Sequence, residues 1–520
     1  MSTQHPQTSS GLTRRRFFEQ LGAIGGSSLV FTAMQSLDLF AQESATRPQL
    51  TGRPAKRKVI VLGAGISGLV TCYELGKLGY DAQILEARER VGGLSWTVRK
   101  GTEHTELGPT GEHQVCTFDE GLYVNCGPWR VPYSHTGVLG YCRELGVQMQ
   151  IFVNEADQNY FFYENNPAVK LSNKRIRMRD VKADMAGHVN ELLLKAIDQK
   201  GLDTQLSKED QDRFINYLVN QGFVDPNDHH YKASVNRGPG EPIDFQSLVA
   251  SGFTNRFRSV PPVEGTAAAP MFQPVGGMDM IPKAFQRVLG TKITLGAEVT
   301  SVHQDANGVA VTWKNTKSGK VTVSQADYVV ACLPMTVLAG MDINLTPERM
   351  AAIKAVPHSD SAKMGLAMKR RFWEEDDDIY GGHLYSNLPL GEFSYPSNDY
   401  FTKKGVLLGL YINGPVAGLT DKTVKERLDH VLLHATKVHP QIKDEFESAY
   451  GVFWRKVKYS QGGYATGAAT SRGKVIAGVD NRIVVASAAT APHSEPSWQE
   501  GAVAAAWQGL TALHERAMRG

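Results

Sequence analysis

The first strong pattern of apolar and polar positions lies between residues 58 and 86. Val59–Leu62 is a wholly apolar run of the kind that forms a strand buried on both faces of a parallel sheet. From Ile66 to Leu78 the apolar residues recur at helical spacing, and this pattern stops at Gly79. A second β-type run, Ala82–Leu85, follows. The pattern predicts a strand, a helix and a second strand, which form a βαβ unit.

Three glycines separate the first strand from the helix. Gly63, Gly65 and Gly68 have the GxGxxG spacing, and an acid, Glu86, follows about 20 residues later, as a dinucleotide-binding fingerprint requires. The glycines permit a tight turn, close approach of a pyrophosphate, and close packing of helix on strand. The helix N-terminus, Ile66–Ser67, offers N–H donors to the phosphates, and Glu86 can accept hydrogen bonds from the ribose. The segment therefore predicts a bound dinucleotide.

The rest of the chain has a helical part and a strand-rich part. Between about Ile151 and Phe253 the pattern is helical, which predicts an inserted helical lobe that either shapes a ligand funnel or serves only for packing. Short alternating runs, typical of strands, then occupy Ile293–Leu295, Val299–Val302, Val309–Thr312 and Tyr328–Val330.

Composition narrows the class of protein. The chain has 520 residues, too many for one hydrophobic core, so several lobes are expected. A formal charge of +3 does not supply the electrostatic footprint of a nucleic-acid binder. The five cysteines form no CxxC pair, no HExxH sequence occurs, and we therefore expect neither a disulfide framework nor a metal site. The 51 glycines indicate many turns or close approaches of backbone to ligand.

The N-terminus has the layout of an export signal. Arg14–Phe18 reads Arg-Arg-Arg-Phe-Phe, an apolar Gly/Ser-rich stretch follows from Leu21 to about Met34, and cleavage after Ala41 is plausible. The paired arginines resemble a bacterial twin-arginine signal. The apolar run is shorter than the ~20 residues of a membrane span, so we expect an exported, periplasmic or secreted protein without a stable span. A disordered tail is the alternative.

The sequence after Glu86 indicates which dinucleotide is bound. Glu86-Ala87-Arg88-Glu89-Arg90-Val91-Gly92-Gly93 resembles the second glycine motif of the flavin amine-oxidase superfamily, and the resemblance implies FAD. Contacts are implied for Ala87, Arg88, Gly92 and Gly93. Leu94 stands where the family usually has an arginine that contacts flavin or phosphate. A plain surface turn is the alternative.

Further motifs are similar to those of the L-amino-acid oxidases within that superfamily. Gly127–Pro132 reads Gly-Pro-Trp-Arg-Val-Pro, close to the family's Gly-Pro-Met-Arg-Leu-Pro. The resemblance implies that Gly127, Pro128 and Trp129 lie against the flavin and that Arg130 binds the substrate α-carboxylate. A planar guanidinium matches a carboxylate at two points, which agrees with that role. A surface ion pair is the alternative for Arg130.

The resemblance also assigns roles to later residues. Pro274–Asp279 looks like the family's return to the FAD domain, and Val299 is expected to contact the adenine through its backbone. Lys363 lies in an otherwise small or apolar strand, and the family presents such a lysine to the flavin through a water; snorkelling to solvent is the alternative. Tyr395 matches the tyrosine that binds the carboxylate beside Arg130.

Aromatic residues near the C-terminus match the walls of the family's substrate chamber. The resemblance implies this role for Trp454, Tyr459 and Trp498, and it implies cofactor contacts for Trp498, Gln499 and Glu500. Aromatic walls exclude water and favour the neutral form of an amine. Ala488 replaces the family's usual acid near the ribityl or phosphate region, a second departure besides Leu94.

The expected fold is α/β, with a discontinuous Rossmann-like FAD-binding domain of the amine-oxidase type, a mixed-sheet substrate-binding domain and a helical insertion. The expected boundaries are 1–41 for the signal peptide, 42–56 for a linker, 57–120, 263–345 and 451–520 for the FAD-binding parts, 121–150 for a flavin- and substrate-contacting segment, 151–262 for the helical and substrate domain, and 346–450 for the substrate-binding sheet domain.

The implied activity is FAD-dependent oxidative deamination of L-amino acids. The products are a 2-oxo acid, ammonia and hydrogen peroxide, dioxygen is the electron acceptor, and the aromatic chamber favours large apolar or aromatic side chains. The FAD is expected to be noncovalent because no cysteine lies beyond Cys332, and a homodimer is common in the family. An amine oxidase, an amino-acid monooxygenase and a non-catalytic flavoprotein remain alternatives. The position of the family's active-site histidine is left open.

Overall fold

The computed structural model describes residues 46–52, 56–109, 111–165, 171–201, 206–233, 238–251, 270–413, 418–466, 471–492 and 498–519. The predicted signal peptide, residues 1–41, and part of the predicted linker lie outside these ranges. From Arg47 onward the chain forms one unit.

The first sheet contains the predicted βαβ unit. Lys58–Leu62 pairs in parallel with Asp81–Leu85 on one side and with Tyr328–Ala331 on the other. Residues 59–62 are fully buried, as their apolar run predicts. In spatial order the six strands are Ile293–Thr294, Asp81–Leu85, Lys58–Leu62, Tyr328–Ala331, Ile483–Val485 and Val479–Asp480.

The strands of the first sheet come from distant parts of the chain. Because its four central strands are parallel, their carboxyl ends meet at one edge, where ligands bind in open α/β sheets. The helix Ile66–Lys77 covers this sheet together with the long C-terminal helix Gln499–Met518, against which it packs. This confirms the α/β fold class.

A second, seven-stranded sheet forms the other large core. Its strand Ser361–Met368 is buried at every position, which explains its nearly continuous apolar sequence. All neighbouring pairs are antiparallel except Tyr160–Phe162 with His383–Ser386, which are parallel. In spatial order the strands are Ile176–Arg177, Tyr160–Phe162, His383–Ser386, Phe393–Ser394, Gly405–Asn413, Ser361–Met368 and Phe446–Phe453.

Smaller sheets connect the two cores. A four-stranded sheet has the order Val321–Ala326, Val309–Asn315, Ala297–Gln304 and Asp342–Ile343, and a three-stranded sheet has the order Val131–Pro132, Met271–Pro274 and Met149–Phe152. Two ribbons pair Thr97–Arg99 with Tyr123–Asn125 and Glu103–Thr105 with His113–Val115.

In the part of the predicted helical segment that is described, three helices occur, Met178–Asp198, Lys208–Asn220 and Phe245–Ala250, together with the strands Tyr160–Phe162 and Ile176–Arg177, which pair in the second sheet. Ser207 and Asp244 cap the second and third helices by accepting a backbone N–H three residues later. The other α-helices among the described residues are Thr136–Glu144, Met280–Leu289, Met335–Leu338, Pro347–Lys354, Phe372–Glu375, Val424–Ala435, Ile442–Glu445 and Ser471–Ile476. Within the described ranges, every helix is too short or too polar to cross a membrane.

A buried ion pair joins the helix Val424–Ala435 to the segment after the Glu103–Thr105 strand. The Arg427 guanidinium donates to both Glu106 carboxylate oxygens, over 2.6 and 3.0 Å, and each side chain is 1% exposed. The guanidinium also lies 3.8 Å from the centre of the Phe453 ring. Paired at two points, these buried charges fix the helix in one position.

We expect Arg427→Met to lower the free energy of unfolding by about 3–5 kcal/mol, because it leaves the buried Glu106 charge without its two-point partner. Urea unfolding followed by tryptophan fluorescence measures this change. Arg213→Met, which breaks an exposed pair with Glu209, serves as the control and should have little effect. If the two substitutions lowered the free energy of unfolding by the same amount, the buried pair would not be more important than an exposed one.

Candidate active site

A cavity of about 510 Å³ opens at the carboxyl edge of the first sheet. It is lined by most of the residues for which the sequence predicted cofactor contacts: Gly63, Gly65, Ile66, Ser67, Glu86, Ala87, Arg88, Gly92, Gly93, Leu94, Pro128, Val299 and Gln499. The structure therefore brings these distant segments around one elongated space.

The GxGxxG turn leaves room for a ligand at one end of this cavity. Gly63 has a φ of +92°, and a Cβ on Gly68 would lie 2.0 Å from the Gly63 carbonyl oxygen, so the helix can sit this close only with glycine there. At Gly65, by contrast, a Cβ would meet no atom within 4 Å. Gly65 faces open space at the start of the helix, where backbone N–H groups attract phosphate.

Glu86 is held in a single orientation at the cavity wall. Its Oε2 accepts a hydrogen bond from the Ala64 backbone N–H over 2.7 Å, and its Oε1 accepts one from the Arg88 N–H over 2.8 Å. The side chain is buried, yet two backbone donors leave part of its acceptor capacity free. A ribose diol is a ligand that uses this remaining capacity.

Tyr459 provides a further polar group for a ligand. Its backbone is in the left-handed region, with φ of +65°, and its ring lines the cavity. Its buried hydroxyl forms no hydrogen bond of good geometry within the described residues, and Lys458 and Glu298 lie near enough to act on its pKa, which burial raises. Together with the glycine turn and Glu86, this hydroxyl fits a dinucleotide such as FAD.

The two departures from the family pattern, Leu94 and Ala488, both line this cavity. The structure therefore presents apolar surface at two points where the family usually presents charge. Val299 also lies in the wall, next to an irregularity in strand pairing between Val299 and Ser301.

The turn at Gly127 lies between the cavity and the second sheet. A Cβ at Gly127 would come within 1.7 Å of the Leu94 carbonyl oxygen, so only glycine fits. The Trp454 indole donates to the Cys126 carbonyl over 2.8 Å. The structure thus places Trp454 against the turn as a support, and its role in a chamber wall stays a prediction.

Lys363 reaches this turn from the seven-stranded sheet. Its Nζ donates to the Gly127 carbonyl over 2.6 Å and lies 4.6 and 4.1 Å from the ring centres of Trp129 and Tyr411. The residue is 2% exposed, and this burial lowers the pKa of the amine to about 7. Lys363 can therefore hold or release a proton near neutral pH.

Arg130 is placed between two indoles. Its guanidinium carbon lies 5.0 Å from the centre of the Trp129 ring and 5.8 Å from that of Trp498. Its Nη1 donates to His383 Nε2 over 3.3 Å and lies 3.8 Å from a carboxylate oxygen of Glu392. Its buried Nε has no partner among the described residues. The arginine thus retains a donor for an anionic ligand.

His383 and Glu392 were not found from the sequence. His383 Nε2 lies 3.3 Å from Arg130 Nη1 and 3.2 Å from Asn154 Oδ1, and its Nδ1 lies 2.6 Å from Ser394 Oγ, so the ring links the arginine to the strand Phe393–Ser394. Burial lowers the pKa of His383 to about 4, which keeps it neutral. The sequence of the strand His383–Ser386 could have indicated a strand, but it contains nothing that shows which residue His383 contacts.

The structure corrects the expectation for Tyr395. Its hydroxyl is bonded to His439 Nε2 over 2.8 Å, and the ring is buried in the core of the second sheet, away from the Arg130 partners. Because successive side chains of a strand face opposite sides, Ser394 takes the side that meets His383. The resemblance selected the correct segment and the wrong face.

Glu500 also has a different role from the one expected. Its two carboxylate oxygens accept the Gly137 and Val138 backbone N–H groups, each over 2.8 Å, and so cap the helix Thr136–Glu144. The neighbouring Gln499 lines the cavity and donates to Ser95 Oγ over 2.9 Å. Trp498 packs edge-on against His135, with 5.0 Å between ring centres.

A dinucleotide cavity beside a buried lysine and a partly unpaired arginine defines a flavin-dependent oxidoreductase that acts on a small molecule. The family profile described as flavin containing amine oxidoreductase matches residues 66–509. The chain therefore belongs to the flavin containing amine oxidoreductases and is an FAD-dependent oxidase that carries out oxidative deamination.

Similar proteins include two L-amino-acid oxidases from snakes. The one from Demansia vestigiata is 28% identical over 79% of this chain and 77% of its own length, and the one from Vipera ammodytes ammodytes is 27% identical over 79% and 82%. Among solved structures, an engineered putrescine oxidase has a TM-score of 0.59 at 17% identity, and it aligns over 89% of this chain and 99% of its own. Cyclohexylamine oxidase from Brevibacterium oxydans aligns over 89% and 99% at 16% identity.

We expect burial of Lys363 to make stability depend on pH. Between its folded pKa of about 7 and its usual 10.5, the unfolded chain binds a proton that the folded chain does not, so the free energy of unfolding rises with pH in this window. Thermal unfolding of wild type and Lys363→Met should be measured across this pH range. The stability of the wild type relative to the variant should rise as the pH increases. Lys208→Met, at an exposed position, should run parallel to wild type. Parallel curves for Lys363→Met would show that Lys363 is not desolvated.

Proposed function

We propose that the substrates are L-α-amino acids and that the products are 2-oxo acids, ammonia and hydrogen peroxide. The observation that supports this proposal most directly is Arg130, whose buried Nε has no partner within the described residues. A planar guanidinium with a free edge binds a carboxylate at two points and so fixes the orientation of the substrate. A simple amine carries no group that uses this arginine.

The residues around Arg130 place its charge for this task. The neutral ring of His383 accepts from Nη1, and Trp129 and Trp498 flank the guanidinium. These contacts hold the plane of the guanidinium, so little orientation entropy is lost when a carboxylate binds. Arg130 therefore positions the α-carbon, while the aromatic rings exclude water and favour the neutral amine.

FAD, when bound, would accept two electrons from the substrate and pass them to dioxygen, which becomes hydrogen peroxide. The residues of the cavity wall would hold it, with the helix N-terminus at Gly65 for the phosphates and Glu86 for the ribose. Lys363, partly neutral near pH 7, holds or moves a proton at its Nζ beside the Gly127 turn. We propose that Lys363 uses this proton to assist either the reoxidation of the flavin or the hydrolysis of the imine.

We expect Arg130→Lys to lower kcat/KM for an L-amino acid by about 100-fold, because it removes two-point pairing worth about 3 kcal/mol. Peroxide-coupled assays should compare each amino acid with the amine formed by its decarboxylation, whose oxidation should change little. Arg213→Lys, on the exposed face of the helical segment, is the matched control.

The same assays separate the other activities of this fold. Equal oxidation of amino acid and amine by the wild type would identify an amine oxidase without a carboxylate requirement. Release of carbon dioxide and an amide would identify a monooxygenase. A protein whose flavin no amino acid bleaches under anaerobic conditions would be a flavoprotein that only binds, which the apolar positions of Leu94 and Ala488 make worth testing.

We further propose that the FAD is bound without a covalent link. Cys332 is the last cysteine of the sequence, and its sulfur lies 3.7 Å from Ser67 Oγ and 3.9 Å from Thr71 Oγ1, at the helix end that suits the phosphates. Denaturation in detergent followed by ultrafiltration should release all the flavin from wild type and from Cys332→Ser alike. Yellow colour retained by the denatured chain would contradict this proposal.

We also propose that the chain is exported by a twin-arginine route and acts in the periplasm or outside the cell. The support is the sequence Arg14–Phe18 and the apolar stretch after it, both outside the described residues. The homodimer common in the resembling family remains a proposal of the same kind.

A further inference from the structure

Glu392 is a carboxylate in the substrate site that the proposed reaction does not use. One of its oxygens lies 3.8 Å from Arg130 Nη1, is buried, and forms no hydrogen bond within the described ranges. The side chain as a whole is 43% exposed, whereas Lys363 at the other end of the site is 2% exposed. Glu392 therefore marks the outer part of the site, and Lys363 its inner part.

The backbone holds Glu392 firmly in this place. Its N–H donates to the Tyr411 carbonyl over 2.8 Å, and the Tyr411 N–H donates to the Leu390 carbonyl over 3.2 Å. Between them, Gly391 has a φ of +66°, and a Cβ there would lie 2.1 Å from the Tyr411 carbonyl oxygen. This close approach requires glycine and fixes the backbone of Glu392 against the strand Gly405–Asn413.

The negative charge of Glu392 acts on three tyrosines of the site. Burial is the largest cause of the raised pKa values of Tyr385, Tyr411 and Tyr464, and the charge of Glu392 adds to each of them. A carboxylate whose charge disfavours nearby anionic groups in this way favours a cation in the same space.

With a substrate carboxylate bound, the site would hold more negative than positive charge, and a cationic group on the substrate would restore the balance. Arg130 is one positive charge, and when an α-carboxylate binds, it faces two anions, the substrate and Glu392. The α-amine does not supply the missing charge, because it reacts in its neutral form. Lys363 does not supply it fully either, since burial lowers its pKa to about 7 and its Nζ is bonded to Gly127.

We propose that Glu392 is a specificity-determining residue that binds the cationic side chain of a basic L-amino acid, such as lysine or arginine. This inference rests on the proposed function and replaces the expectation of a large apolar side chain. For a neutral substrate Glu392 only repels the bound carboxylate. For a basic substrate the same charge becomes an attraction.

The test uses pairs of substrates that match in length and differ in charge. For the FAD-loaded wild type we expect kcat/KM to be about 10- to 100-fold higher for L-lysine than for L-norleucine, and for L-arginine than for L-citrulline, from a charge-assisted contact. Glu392→Gln keeps the shape of the side chain and should abolish both preferences, chiefly through KM. The neutral substrates should be oxidised better than by the wild type, because the repulsion between Glu392 and their carboxylate is removed. Glu209→Gln, at an exposed position, is the matched control.

Two results would overturn the inference and leave the proposed function standing. One is a wild type that oxidises norleucine as efficiently as lysine. The other is a Glu392→Gln variant that loses lysine and norleucine activity equally, which would place Glu392 at the α-amine.

If no amino acid reduces the flavin, the proposed function fails, and calorimetric titration of the holoenzyme still decides the inference. Tighter binding of lysine than of norleucine, lost in Glu392→Gln, supports the side-chain site. Equal binding of the two overturns it.

Discussion

The turn at Gly127 is the constraint on which the two halves of the site depend. It is pressed against the Leu94 carbonyl on the cofactor side, and it is held by Lys363 and Trp454 from the other lobe. Arg130 follows three residues later, so its position is inherited from this turn. A single glycine without a side chain thus allows the cofactor segment and the second sheet to share one piece of backbone, which sets the distance between the cofactor cavity and Arg130.

The protonation states of the buried groups in the site are determined mainly by burial. Lys363 and His383 are both pushed toward their neutral forms because burial penalises the charged ones. Arg130 keeps its charge because it cannot lose its proton at ordinary pH. The site therefore combines the permanent cation of Arg130 and the carboxylate of Glu392 with two nitrogen groups, on Lys363 and His383, that burial shifts toward their neutral forms. The charge of Arg130 is in this way the dominant positive charge that an anionic ligand would meet.

Local sequence rules predicted the first sheet and the cavity well, because each strand and the GxGxxG turn carries its own signal within a few residues. The substrate site was harder to predict. Tyr395 was assigned to the wrong face of the sheet. Successive side chains of a strand point to opposite faces, and a matching motif does not show which residue of the motif faces the site. Glu500 follows Gln499, which lines the cavity, but successive residues of a helix point in different directions. Its side chain therefore reaches the N-terminus of the helix Thr136–Glu144 instead of the cavity. His383 and Glu392 meet Arg130 across about 250 residues of chain, a distance over which no local pattern operates.

The order of the strands in the first sheet has a consequence for the cofactor cavity. The segment that follows the strand Ile483–Val485 lines the cavity at residues 487–489, and the helix that begins at Gln499 lines it as well. Glu500, from the same helix, also caps the segment that follows Arg130. The glycine turn at Gly63 therefore does not form the cavity alone, and a change that displaces the helix Gln499–Met518 would disturb the cavity wall and the support of Arg130 together.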